Sequence, residues 1–217
     1  MLIVTAMAGD PPAGAISPFA QSLRKRWRLA AEDTAARRSE DIKACRSLSA
    51  SWLHWDIPDC IYRRSVRNGK PLYASEESLF GEVNQLEIDL VGNLAELMRS
   101  LPVAESIFMP LGAGNHVDHQ LTRMAAERWL EPSSFAYYEE YPYSDSNLQL
   151  DQAISNSKPW RDKIIRLEPD NIQARIRAIA CYQSQISTFF EGLEDLAQKV
   201  SLYISSIGGE RYWKVVG

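Results

Sequence analysis

The sequence predicts an α/β fold of the three-layer, Rossmann-like kind, a mostly parallel sheet flanked by helices. Short apolar runs such as "MLIVTAM" and "SIFMPL" have strand length and are followed by glycine- and proline-rich turns. Longer stretches carry apolar residues at helical spacing, Leu86, Leu90, Leu94 and Leu97 among them. The two kinds of stretch alternate along 217 residues, a length that suits one sizeable domain over 1–217 with a real core.

Leu2 to Ala6 reads as a buried strand, and the turn-rich "AGDPPAG" opens a loop that lasts to about Pro18. A helix is expected from about Asp33 to Leu48, with Ile42, Cys45 and Leu48 on one face. "WLHWDIPD" suggests a short strand and "CIYRR" another extended piece, before a loop with Gly69 and Pro71. The leucine-spaced helix follows, and Pro102 stops it. "SIFMPL" (106–111) is continuously apolar, the mark of a strand covered on both faces. Leu121, Met124 and Ala125 lie on the next helix, which Pro132 ends. "FAYYEEYPY" is a strand running into a loop and "IIRLEP" a short strand. Residues 171 to about 206 are mostly helix, and "RYWKVV" is a strand or extended tail. There is no internal repeat.

Composition narrows the function classes. Apolar residues make up 45% and charged residues 24%, ordinary globular usage. A net charge of −4 gives no electrostatic case for a nucleic-acid partner. The one basic cluster, "RKRW" (Arg24 to Trp27), has the acidic "AEDTA" close behind it and reads as a solvated face. Cys45, Cys60 and Cys181 are odd in number, far apart and without a CxxC pair, so they are expected to be buried thiols of a reducing compartment, the cytoplasm. No apolar run approaches the length of a membrane span. The oligomeric state is not written in the sequence.

"PLGAGNHVDHQLT" (110–122) holds two of the three histidines, behind a glycine-bracketed loop. In an open α/β sheet, ligands sit where strands end and loops feed the next helix. With Asn115 as N-cap, His116 and His119 fall in the first helical turn and share a face. The loop is no dinucleotide fingerprint, because Val117 stands where its third glycine is needed, and HExxH spacing is absent. Two readings stay open. One is a polar helix start, with Asp118 favouring the positive end of the dipole. The other is half of a metal site, since a catalytic zinc needs roughly three protein ligands. His54, between Leu53 and Trp55 in a strand, reads as packed or hydrogen-bonded rather than as a ligand. Glu139 and Glu140, adjacent on a strand, point to opposite faces, so at most one serves a site.

The motif resembles the HxDH signature of the PIG-L/LmbE-like zinc-dependent N-deacetylases. Further segments are similar in the same order: "VTAMAGDPP" to a strand and loop, "RRSEDIKACRSL" to a helix with an R-x-x-E start (Arg37, Glu40), "YYEEYPY" to a strand and loop, and "IACYQSQ" to a late helix with Tyr182, Ser184 and Gln185. The resemblance implies that His119 is a zinc ligand. It implies that His116 stabilises the oxyanion or acts as general acid, and that Asp118 holds the His116 ring. The implied substrate is a small N-acetylated sugar conjugate, released as amine and acetate. Asn115, Tyr62, Arg64, Glu140 and Tyr143 are candidates to line its pocket, with surface and edge-strand packing as the alternative for each.

The sequence departs from the family in one respect. No His-Pro-Asp-Asp-Glu-like stretch, the family's source of the other ligands and the general base, occurs in residues 1–217. The expectation is therefore a chain that starts about one βα unit late, binds zinc weakly and is inactive alone. The alternatives are a non-catalytic sugar-binding or interaction module, and a half-enzyme completed by a separately encoded piece.

Overall fold

The computed structural model describes residues 1–27, 33–145, 147–154 and 159–216. In chain order the first elements are β1 (Leu2–Thr5), α1 (Pro18–Arg26), α2 (Asp33–Ser47), β2 (Ser51–His54), α3 (Glu76–Leu79), α4 (Ile88–Arg99) and β3 (Phe108–Pro110). After them come α5 (Val117–Trp129), β4 (Ala136–Tyr138), α6 (Asn147–Ile154), β5 (Trp160–Ile165), α7 (Pro169–Ala180), α8 (Gln183–Phe189), α9 (Leu193–Ile207) and β6 (Glu210–Val215). They form two compact units, residues 1–75 with 166–209, and residues 76–165 with 210–217. The alternation of strands and helices gives the α/β class the sequence predicts.

In the first unit β1 and β2 pair in parallel, Leu2 opposite Ser51 through Thr5 opposite His54. The strand expected to be buried is half open, with Leu2 exposed. The connection between them carries α1 and α2, and α2 turns Asp41, Ala44 and Cys45 inward and packs on α7, itself packed on α9. Gly9 shows why the turn after β1 is glycine-bearing. Its N–H donates to the Ile57 carbonyl at 2.9 Å, and an added Cβ would stand 2.7 Å from the backbone of Asp56 and Ile57.

The loop lasts to Pro18 as expected, and there α1, a helix not among those expected, begins, because the Ser17 hydroxyl caps the Ala20 N–H and Pro18 sits in the first turn, where it has no N–H to lose. The basic cluster is the last turn of α1, where cations suit the helix dipole; Arg24 lies over the Tyr62 ring, 5.6 Å from its centroid. Residues 28–32, the start of the acidic stretch among them, lie outside the described residues. Cys60–Tyr62 is a turn of 3-10 helix rather than extended, because the Asp59 carboxylate accepts the Ile61 N–H. All three cysteines are free thiols; Cys45 and Cys60 are buried and Cys181 is half-buried.

In the second unit the sheet order is β3-β4-β6-β5. β3 and β4 are parallel, while β6 runs antiparallel to both β4 and β5. α4 packs against α5 through Val91, Leu94, Ala95 and Met98, a stripe rotated from the leucine series. Leu86 is exposed because Asn84 caps a separate 3-10 turn, Gln85–Glu87, before α4 begins. β3 is not covered on both faces as its apolar run suggests. Burial instead rises along the strand, from exposed Phe108 through Met109 to buried Pro110, and Phe108 packs edge-on against Tyr212 at 5.6 Å.

Candidate functional site

β3 ends at Pro110 and runs into the loop Gly112–Asn115, where Gly112, Gly114 and Asn115 all take positive φ (83°, 82° and 60°). That backbone excludes Asn115 as the N-cap of α5, a position that needs extended dihedrals. His116 is the cap instead, at φ −64° and ψ 130°, and its ring Nδ1 accepts the Asp118 main-chain N–H at 3.3 Å. Asn115 tolerates the left-handed conformation and donates its side-chain amide to the carbonyls of Phe80 (2.9 Å) and Gly81 (3.0 Å). Gln120, one turn on, donates to the Gly81 and Asn115 carbonyls and ties the loop from the helix side.

His119 lies in the first turn of α5, and its ring centroid is 5.2 Å from that of His116, so the i, i+3 spacing does bring the two together. Asp118 is buried, with a carboxylate oxygen within 4.8 Å of a His116 ring nitrogen. Phe80 meets the His116 ring edge-on at 5.5 Å. Tyr143 stands 5.9 Å from His119 and 6.5 Å from His116. Gly114 makes room for it: a Cβ there would come within 2.6 Å of the Tyr143 Cβ.

Glu140 closes the site from the end of β4. Its Oε1 accepts the Gly112 N–H at 2.7 Å and its Oε2 the Ala113 N–H at 3.3 Å, and the side chain is only 5% exposed. Oε1 also lies 3.2 Å from His119 Nδ1. That approach is off the line of a hydrogen bond, so the buried His119 Nδ1 has no hydrogen-bond partner among the described residues. Glu139 points the other way, accepting from Arg211 Nε at 2.6 Å and Trp213 Nε1 at 2.8 Å. The alternation expected of the adjacent pair is met.

Six of the expected residues, Asn115, His116, Asp118, His119, Glu140 and Tyr143, thus gather in the second unit. Phe80 and Gln120 belong with them. Nothing in "ESLFGE" marks Phe80 in the sequence, and Gln120 carried only its helical spacing from His116. A cavity of about 280 Å³ shares Gly112, Gly114 and Asn115 with this site and is lined further by Gln120, Arg123 and Gln152. Tyr62 and Arg64 belong to the first unit. Tyr62 is buried in the 3-10 turn, and the Arg64 guanidinium donates to the main-chain carbonyls of Gly69 and Ala15.

The first unit has its own polar centre. Asp41 accepts from Thr5 Oγ1 at 3.0 Å and Tyr182 OH at 2.5 Å, and it meets His54 Nε2 at 2.7 Å, the hydrogen-bonded histidine the sequence suggests. Burial, reinforced by that Asp41 bond, pushes the Tyr182 phenol well above its ordinary value. Glu40 accepts from both the N–H (2.9 Å) and the hydroxyl (2.6 Å) of Ser184, and Arg37 pairs with Asp59 at 2.8 Å. The R-x-x-E helix, the "IPD" turn and the "CYQSQ" segment are therefore linked by direct polar contacts.

No family model and no curated protein matches the chain. Solved structures do. The chain is similar to the zinc-inhibited form of a teicoplanin deacetylase, with TM-score 0.77 and 27% identity over 99% of this chain and 86% of that one. A deacetylase–teicoplanin complex superposes with TM-score 0.79 at 26% identity, over 99% of this chain and 86% of that one. A deacetylase complex from the teicoplanin biosynthesis pathway gives 0.76 at 26%, with the same shares covered. The two histidines thus sit on a fold shared with deacetylases of the teicoplanin pathway.

Proposed function

We propose that the chain is a zinc-dependent deacetylase of an N-acylated amino-sugar conjugate, with the metal held at His119. The observation that carries the reading is the pair of imidazoles at one helix start, the His119 ring centroid 5.2 Å from that of His116, which caps α5. Imidazole and carboxylate donors suit zinc, and at this helix start a His116 ring nitrogen and an Asp118 carboxylate oxygen lie within 4.8 Å of each other, with the His119 ring centroid 5.2 Å from that of His116. The solved neighbour bound to teicoplanin supports a conjugate, rather than a free sugar, as substrate.

When bound, zinc would lower the pKa of a water and polarise the amide carbonyl. His116, whose Nδ1 is already an acceptor, presents Nε2–H as a donor to the oxyanion or the leaving amine. Asp118 steadies that ring through its main-chain N–H at the helix start. Tyr143 and Phe80 exclude water from one side of the rings, and Tyr143 offers a phenol to the sugar.

One observation favours a second reading, a sugar-binding module on the same fold. The chain has three histidines and His54 is engaged with Asp41, which leaves at most two imidazoles for a metal that wants about three protein ligands. Zinc stoichiometry after dialysis against a mild chelator, together with acetate release from N-acetylglucosamine conjugates, separates the two. Bound zinc with zinc-dependent release supports the deacetylase. Saturable sugar binding with neither zinc nor release supports the module.

A further inference from the structure

We propose that the two histidines are held in opposite neutral tautomers, and that Glu140 is the positioning residue that sets His119. The roles given to the rings rest on the deacetylase reading; the tautomers rest on local contacts alone. At His116 the helix start decides. Nδ1 accepts the Asp118 main-chain N–H, so its lone pair is engaged and the ring proton resides on Nε2. At His119 the carboxylate decides. A bare Nδ1 lone pair 3.2 Å from Glu140 Oε1 would face a like charge density, whereas Nδ1–H faces it favourably despite the imperfect angle. The proton therefore sits on Nδ1 of His119, and its Nε2 keeps a free lone pair.

The difference sorts the pair chemically. His116 offers an N–H and His119 offers a lone pair, from side chains three residues apart on one helix start. Glu140 suits this task because it cannot easily turn away. Its two oxygens are anchored by the Gly112 and Ala113 N–H groups, and its burial keeps water from competing. The same carboxylate thereby couples the shape of the glycine loop to the orientation of the His119 ring.

The test is long-range ¹H–¹⁵N correlation spectroscopy of the ¹⁵N-labelled, metal-free full chain, about two pH units above the ordinary histidine pKa of ~6.5. The expected spectrum has His116 as Nε2–H and His119 as Nδ1–H. Glu140→Gln removes the charge, and its amide can donate back to the ring, so the His119 signals should move toward the Nε2–H form while His116 is unchanged. Glu139→Gln, the neighbour facing Arg211 and Trp213, should leave both rings as in the parent. A parent His119 carrying its proton on Nε2 overturns the proposal whatever the variants do, as does a Glu140→Gln spectrum with His119 unshifted. Zinc titration of the same samples provides a separate readout, with affinity expected to fall about 10–100-fold in Glu140→Gln. If the parent binds no zinc and releases no acetate, the deacetylase reading fails while the tautomer result stands by itself.

Discussion

Tyr182 OH lies 2.5 Å from Asp41 Oδ1 across 141 residues of sequence, which makes one carboxylate the junction of four elements in the first unit. Thr5 of β1 and His54 of β2 meet the other oxygen, and Asp41 itself belongs to α2. Replacing Asp41 by Ala would strand these groups without their shared acceptor. The expected loss is on the order of 3 kcal/mol, read as a lower urea midpoint at unchanged slope. His54→Ala, which removes a single contact of the carboxylate, should cost about 1–2 kcal/mol. Equal losses in the two variants would show that the junction does not act as one.

The same contact gives a pH signature. Burial and the Asp41 bond raise the Tyr182 phenol, and burial with the Glu127 carboxylate raises Tyr137, both beyond the ordinary tyrosine value near 10. A raised folded pKa contributes stability that is complete below about pH 10 and is lost as pH climbs toward the folded value. Absorbance titration at alkaline pH should show at least these two of the nine tyrosines ionising only with unfolding. Reversible ionisation of all nine around pH 10 in the folded chain would contradict this.

The histidine roles separate by substitution. His119→Ala should lose zinc and turnover together. His116→Ala should keep zinc and lower kcat about 10²–10³-fold, with a stability cost of about 1 kcal/mol from the lost N-cap. His116→Ser restores a capping oxygen without an imidazole, so stability should recover while turnover does not. Asp118→Asn keeps the main-chain N–H that His116 Nδ1 accepts, so the ring, the zinc and the turnover should stay near those of the parent. If stability and turnover return together in His116→Ser, the histidine is a cap and nothing more.

Gly114 is constrained twice, by a φ of 82° and by the Tyr143 side chain where its Cβ would be. Gly114→Ala should therefore destabilise by about 2 kcal/mol or more. In Tyr143→Gly, which removes the Cβ as well as the ring, the clash is gone and only the backbone strain remains, so the double variant should lose less than the sum of the singles. Additive losses would place Tyr143 away from the loop.

Much of this was legible from residue order. The strand–loop–helix around "GAGNHVDH", the helix across 33–47 and the opposed faces of Glu139 and Glu140 all follow from periodicity and turn residues. The illegible parts depend on contacts between segments distant in sequence. Asn115 looks like an N-cap until the loop's left-handed backbone is known, and the cap then passes to His116. Glu140 stands out only as a candidate pocket residue, and nothing in the sequence tells that its oxygens take the N–H groups of the glycine loop. The antiparallel placing of β6 leaves no mark in "RYWKVV". Phe108 is exposed although its apolar run suggests burial, because composition does not say how much of a short strand's length its neighbours cover.

β6 follows every other element in the sequence yet lies between β4 and β5 in its sheet. On the ribosome, β5 is made first and has no other strand partner among the described residues. It must wait while α7, α8 and α9 are synthesised. The second unit can therefore complete its sheet only once residues 210–215 have cleared the exit tunnel, with the β4 edge and its exposed Tyr138 uncovered meanwhile. A nascent chain stalled before Glu210 should bind holdase chaperones, and one released after Val215 should not.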